Sequence, residues 1–205
     1  MSNWQEIIGI IAGFLSLIGF IPYIISIWKG KTQPNKATWC IWAIVGIIIC
    51  TSYYLSGAIN TIWVPLALAI GHVVIAILTL IYGKGGWNSF DKTCILGTGI
   101  SLVLWWHYDS PLIALSINIA IDFLGALPTI RKSYRKPETE DLLTWIIFLL
   151  AHTLNLFAIK QWSFSVLAYP AYLFFTVATV VLLLLRPKMR FLRSSYKYRR
   201  RRKSS

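Results

Sequence analysis

Charge is scarce in this chain. Only 13% of its 205 residues are Asp, Glu, Lys or Arg, about half the ~25% usual in soluble domains, while 57% are hydrophobic. Acids are the scarcest class: seven Asp and Glu stand against twenty Lys and Arg, for a net charge of +13. So little polar surface excludes a water-soluble globular domain and points to lipid as the solvent. Cysteine is rare as well. Cys40, Cys50 and Cys94 sit in or beside apolar runs without CxxC spacing, which argues against a disulfide framework or a zinc site and for buried thiols. Phosphate loops, nucleophile motifs and metal-ligand clusters are lacking, so neither a soluble enzyme nor a cofactor is expected. A basic segment ahead of the first apolar run is lacking too. That run starts near Ile7 behind Glu6, lasts about twenty residues and has no small-residue cleavage site, so it reads as a retained span rather than a signal peptide.

What is abundant is apolar sequence in long runs. A helix needs about twenty apolar residues to cross about 30 Å of hydrocarbon. Six runs meet this well enough: Ile7–Trp28, Thr38–Leu55, Ile62–Tyr82, Leu112–Ile130, Leu142–Ile159 and Phe164–Leu185. A seventh, Thr93–Trp106, is shorter and is flanked by Lys92 and His107, which can snorkel outward. Ten Trp and ten Tyr suit interfacial belts. The expected fold is all-α, a polytopic membrane protein of seven transmembrane helices.

The cations are localised. Ten of the twenty Lys and Arg lie in the last twenty residues. The connections fall into two classes. One holds Lys29, Lys31 and Lys36; Lys84 and Lys92; Arg131, Lys132, Arg135 and Lys136; and the tail. The other, Ser56–Asn60, Tyr108–Pro111 and Lys160–Ser163, has only Lys160. If all seven runs span, the classes alternate, nineteen of the twenty cations share one side, and the positive-inside rule makes that side cytoplasmic. The expected topology has the N-terminus outside and the C-terminus inside, in the cell (plasma or inner) membrane. The Tyr- and Arg-rich segment Tyr196–Lys203 reads as an anchor to anionic headgroups of the lipid bilayer rather than as a nucleic-acid site.

The chain also repeats itself. GFIPYIISIWKGKTQPNKATWCIW from Gly19 and GALPTIRKSYRKPETEDLLTWIIF from Gly125 align at a displacement of 106 residues. Gly19 meets Gly125, Pro22 meets Pro128, Lys29 meets Arg135, and Thr38-Trp39 meets Thr144-Trp145. Pro65 and Pro170 correspond in the third helix of each half after a one-residue deletion. Three crossings leave the chain on the wrong side to repeat in the same orientation, and one extra crossing restores it. The organisation is then 3+1+3, with parallel triple-helix repeats: a first repeat over 1–84, a linker with the short fourth helix over 85–109, a second repeat over 110–186 and a basic tail over 187–205.

These motifs resemble the PQ-loop superfamily, which includes SWEET and SemiSWEET sugar transporters, cystinosin-type amino-acid exporters and KDEL receptors. The family pattern is Pro-Gln near the cytoplasmic end of the first helix of each half, followed by a basic loop. Here Pro22-Tyr23 and Pro128-Thr129 keep the prolines and lack both glutamines. The resemblance implies transport of a small polar solute (a sugar, an amino acid or a similar metabolite) by alternating access. The alternative on the same scaffold is a non-transport receptor or assembly protein. It also implies that the prolines act as hinges. Proline frees the carbonyl one turn earlier and can bend a helix, and Gly19 and Gly125 precede Pro22 and Pro128; a static kink used in packing is the other reading.

Asp122 is the only ionisable acid well inside a span, and Asn118 and Gly125 share its face. Proton coupling or substrate binding is one reading, and a hydrogen-bonded structural Asp between helices is the other. In the sixth span Trp145, Phe148, His152 and Asn155 form one stripe, and in the second Trp39, Trp42, Gly46 and Tyr53 form another. Both suit either a solute pocket or packed aromatics with interhelical polar contacts. The third helix of each half offers His72 with Gly71, and Tyr169, Tyr172 and Thr176, where SWEET-like pockets generally place asparagines. His72 alone reads more readily as a helix-contact histidine than as a ligand.

Overall fold

A computed structural model of the chain describes residues 4–55, 59–83, 87–107 and 111–203. Seven α-helices and one short 3-10 turn make up its regular structure, and there is no strand among the described residues. The helices are α1 (Trp4–Trp28), α2 (Lys36–Leu55), α3 (Trp63–Tyr82), α4 (Ser89–His107), α5 (Pro111–Arg135), α6 (Leu142–Phe157) and α7 (Phe164–Lys203); the 3-10 turn η1 is Pro137–Thr139. Each of the seven expected apolar runs forms a helix. The expected boundaries at 84/85 and 109/110, Lys84, and most of the two cation-free connections Ser56–Asn60 and Tyr108–Pro111 lie outside the described residues.

Three helices, Trp4–Trp28, Trp63–Tyr82 and Phe164–Pro187, are long and apolar enough to cross a membrane. Lys36–Thr51 and Leu142–Phe157 are apolar and shorter. The surface of α1 shows which solvent it meets. Ile7, Ile11, Phe14, Ile18, Ile21 and Ile25 recur every three or four residues and are all exposed, while Gly9, Ala12, Gly13, Ser16 and Gly19 are buried. Large side chains face outward and small ones inward, the reverse of a soluble amphipathic helix and the pattern of close helix contacts in lipid. A β-carbon at Gly13 would lie 2.7 Å from Cβ of Trp63, so α1 and α3 pack at near-backbone distance.

Packing order follows a ring. Helix α1 packs on α3, α3 on α2, α2 on α5, α5 on α7, α7 on α6, and α6 on α1. The consecutive pairs α1 with α2 and α5 with α6 are not backbone neighbours among the described residues; Phe20 and Tyr23 of α1 reach Trp39 of α2 only by their rings, across the interior. Helix α4 lies outside the ring against α5 and α2. Exchanging α1, α2 and α3 for α5, α6 and α7 maps the ring onto itself.

The helix ends follow local chemistry. Gly30, at φ +65°, closes α1: Lys31 N–H donates to Ser26 O at 3.0 Å and Gly30 N–H to Ile27 O at 2.9 Å, the paired bonds of a Schellman ending. Asn35 caps α2 by accepting from Thr38 N–H at 3.0 Å, and Asp141 caps α6 by accepting from Thr144 N–H at 2.8 Å. These caps are 106 residues apart in the sequence and precede the two Thr-Trp pairs by the same spacing.

Most helices match the expected runs to within three residues at each end, and three ends differ by more. Helix α4 starts at Ser89 instead of Thr93 because Asn88 and Asp91 cap it reciprocally, at 3.0 and 3.3 Å. Helix α5 runs past Ile130 to Arg135, since nothing breaks it before Pro137. Its last turn therefore carries cations assigned to a connection. Helix α7 continues beyond Leu185 to Lys203, so the tail expected as a separate segment extends a helix; its Lys and Arg are good helix formers.

Candidate functional site

A cavity of about 30 Å³ lies inside the ring. Helix α2 lines it with Trp39 and Trp42, α3 with Leu68 and His72, α5 with Asp122, α6 with Trp145, Phe148 and His152, and α7 with Leu173, Thr176 and Val177. Most of these fall into pairs related by the internal displacement: Trp39 with Trp145, Trp42 with Phe148, Leu68 with Leu173, and His72 with Val177. What breaks the symmetry is polar. Asp122 corresponds to Ser16, His152 to Gly46 and Thr176 to Gly71, so these three groups come from the second half.

The two glycines ahead of the prolines serve the same architecture. A β-carbon at Gly19 would meet the Phe148 ring at 2.7 Å, and one at Gly125 would meet Ile41 at 2.8 Å and Trp42 at 3.0 Å. Gly19 on α1 thus seats Phe148 of α6 just as Gly125 on α5 seats Trp42 of α2. Pro22 and Pro128 lie within α1 and α5, one residue before Tyr23 and Thr129, both of which are fully buried.

Asp122 is buried. Its Oδ2 accepts a hydrogen bond from the Tyr172 hydroxyl at 2.6 Å, and its main-chain oxygen accepts one from Trp42 Nε1 at 3.0 Å. Its Oδ1 is buried without a protein partner. His72 stacks on Trp42 with centroids 5.2 Å apart, and its Nδ1 lies 3.3 Å from Trp42 O. His152 stacks on Phe148 at 6.4 Å with its Nδ1 unpartnered. Asn118 and Asn155 do not line the cavity. They lie about one helical turn from Asp122 and His152, toward the end of the bundle away from the basic connections, and both side-chain amides are buried and unpartnered. Buried polar atoms left this way each cost about 1–3 kcal/mol, so these groups are available to a polar ligand or water.

Hydrogen bonds tie the helices together toward both ends of the bundle. At the basic end, the buried carboxylate of Glu140 accepts from the Tyr23 hydroxyl at 3.0 Å and from Trp145 Nε1 at 3.1 Å, and pairs with Lys132. Lys132 also donates to Gln33 O. Beside this cluster Thr129 donates to Thr38 Oγ1 at 2.9 Å, joining α5 to α2. At the other end, Tyr53 of α2 donates to Val166 O of α7 at 2.8 Å and packs its ring 5.7 Å from Tyr169.

Of the residues singled out in the sequence, Trp39, Trp42, His72, Asp122, Trp145, Phe148, His152 and Thr176 meet at one cavity, and Gly19 and Gly125 support its walls. Sequence reasoning does not single out Glu140. Its signal is an acid in a chain nearly devoid of acids, masked by a basic connection that suggests a solvated side chain. Tyr23 and Tyr172, which hold the two carboxylates, are marked in the sequence only by position, Tyr23 at the motif glutamine and Tyr172 in the third helix of the second half, and nothing there pairs them with an acid. Comparisons with protein-family profiles, curated proteins and solved structures return no match.

Proposed function

We propose that this chain is a PQ-loop-like membrane transporter of a small polar solute, working by alternating access between two related halves. The observation that carries the reading is the central cavity: it sits between the halves, is walled by repeat-related pairs, and is flanked toward each end of the bundle by a separate set of interhelical hydrogen bonds. At about 30 Å³ it has room for a water or two. A solute of several heavy atoms therefore requires the helices to part at one end, which is what alternating closure of two gates provides.

In this reading all seven helices span, in a 3+1+3 order. The ring supports it, because only α4 stands outside the exchange of α1–α3 for α5–α7, as a linker that restores chain direction should. Nineteen cations face the cytoplasm. Pro22 and Pro128 are the hinges, each next to a residue of the basic-end gate. Trp39 and Trp145 hold the solute between aromatic faces, His152, Asn155 and Asn118 hydrogen-bond it, and Asp122 binds it or carries a coupled proton.

The test is uptake into proteoliposomes of a panel of radiolabelled neutral sugars and amino acids, with and without an imposed pH gradient. Saturable uptake of one class, reduced by Trp145→Ala, is the expected result. Absence of uptake across the panel, together with solute binding from one side only, would replace the transporter with the receptor reading.

A further inference from the structure

We propose that the basic end of the bundle carries a second site, a cleft for a multiply charged phosphate-bearing anion, distinct from the central cavity. The cleft has a volume of about 850 Å³, within the range of roughly 300–1,000 Å³ typical of small-molecule sites. It lies among the N-terminus of α2, the N-terminus of α4 and the last turn of α5, so its walls come from both halves and the linker. Lys36, Arg131, Lys132, Arg135 and Lys136 line it, with Asp91 the one carboxylate.

The compensating acids are already engaged. Asp91 accepts from Asn35 at 3.2 Å and from Asn88 N–H at 3.3 Å. Glu140 neutralises Lys132 from behind. Arg131 lays its guanidinium over the Phe90 ring, 4.5 Å from the centroid, which occupies its face and leaves its N–H edge free to bind an oxyanion. Lys36, Arg135 and Lys136 have no ion-pair partner among the described residues. Like charges converging on one concavity repel one another, and an anion bearing several negative oxygens removes that repulsion.

Two ordinary causes of basic residues fall short of this arrangement. Orientation by positive loops needs cations on one side of the membrane and does not require them to share a cleft. Complementing the α5 macrodipole accounts for Arg131 and Arg135 near its end but not for Lys36, which opens α2 at the end where a cation is unfavourable. A bound polyanion accounts for both. Phosphate matches the set, because the arginine edges bind its oxygens in pairs and lysines act as point charges. The same chemistry is offered by a polyphosphorylated lipid headgroup and by a free polyphosphate.

The site does not depend on the transport reading, and its test reads binding alone. Full-length protein in neutral detergent is titrated with inorganic triphosphate, following binding and the shift in unfolding temperature. In parallel, protein in phosphatidylcholine nanodiscs with or without phosphatidylinositol bisphosphate is assayed for retained lipid. The cleft variant carries Arg135→Gln and Lys136→Gln, both exposed and free of ion pairs. A charge-matched control carries Lys29→Gln and Lys31→Gln, exposed on the same side of the bundle and outside the cleft. Binding should weaken at least about tenfold in the cleft variant, as expected for losing charge-assisted hydrogen bonds, and change little in the control. Cleft-dependent triphosphate binding assigns a free anion, and cleft-dependent retention of the lipid alone assigns a headgroup. Absence of both, or equal weakening by the control, overturns the proposal.

Discussion

Tyr172 donates to Asp122 across the α5–α7 interface at 2.6 Å, leaving the other carboxyl oxygen buried without a protein partner. The acid is thus fixed in position yet half unsatisfied, at the wall of the central cavity between the halves. Replacing Asp122 with Asn keeps its shape and an oxygen that can accept from Tyr172. The variant should fold and exchange solute downhill but fail to accumulate it when driven by a pH gradient. Full pH-driven accumulation would remove the coupling role. Failure to fold would identify the carboxylate as a helix-to-helix tie.

Gly19 and Gly125 leave no room for a methyl group. Gly19→Ala and Gly125→Ala should each destabilise the protein by about 1–3 kcal/mol, the usual cost of overpacking, seen as a lower midpoint of thermal unfolding in detergent. Adding Phe148→Leu to Gly19→Ala should recover part of the loss. Additive destabilisation in the double variant would mean that the Phe148 ring is not the source of strain.

Glu140 holds α1, α6 and α5 together at the basic end. Glu140→Gln keeps an acceptor for Tyr23 and Trp145 but loses the ion pair with Lys132. This gate should then open more often. In a background without native cysteines, a Cys at the buried position Thr144 should react faster with a membrane-impermeant thiol reagent added to the basic side. An unchanged rate would exclude Glu140 as a gate residue.

Pro22 and Pro128 each precede a fully buried residue at the basic end, Tyr23 and Thr129, which the transport reading makes gate residues. Pro22→Ala and Pro128→Ala should slow solute exchange while leaving the unfolding midpoint near that of the parent. Unaltered exchange in both single variants and in the double variant would reduce the prolines to packing features.

The proposed topology rests on the charge distribution. Ser163→Cys should be labelled from outside intact cells, and Lys31→Cys only after the membrane is permeabilised. The reverse pattern would invert the orientation.

Helix positions are legible because lipid demands long apolar runs, and α4, α5 and α7 depart from expectation only at ends where caps, breakers and helix propensity rather than hydropathy decide. The repeat makes Trp39 and Trp145 legible as partners. Hydropathy cannot place Asn118 and Asn155 relative to the cavity: a helical stripe specifies a direction around the axis, whereas reaching a cavity also depends on height along neighbouring helices. Glu140 is illegible for a different reason. Its burial depends on Tyr23 and Trp145 arriving from two different helices, and nothing local to Pro137–Asp141 announces them.

The ring is closed by two repeat-related sets of three helices, and its polar residues are unequally shared between them. A ring built from two copies of the second half would bring two Asp122 side chains to one small cavity, where like charges oppose the ionisation of both. A ring of two first halves would have Ser16 at those positions and no acid there at all. Covalent joining of unlike halves permits a third composition, a single acid beside histidine and threonine that have no polar counterpart, and α4 takes no part in the walls.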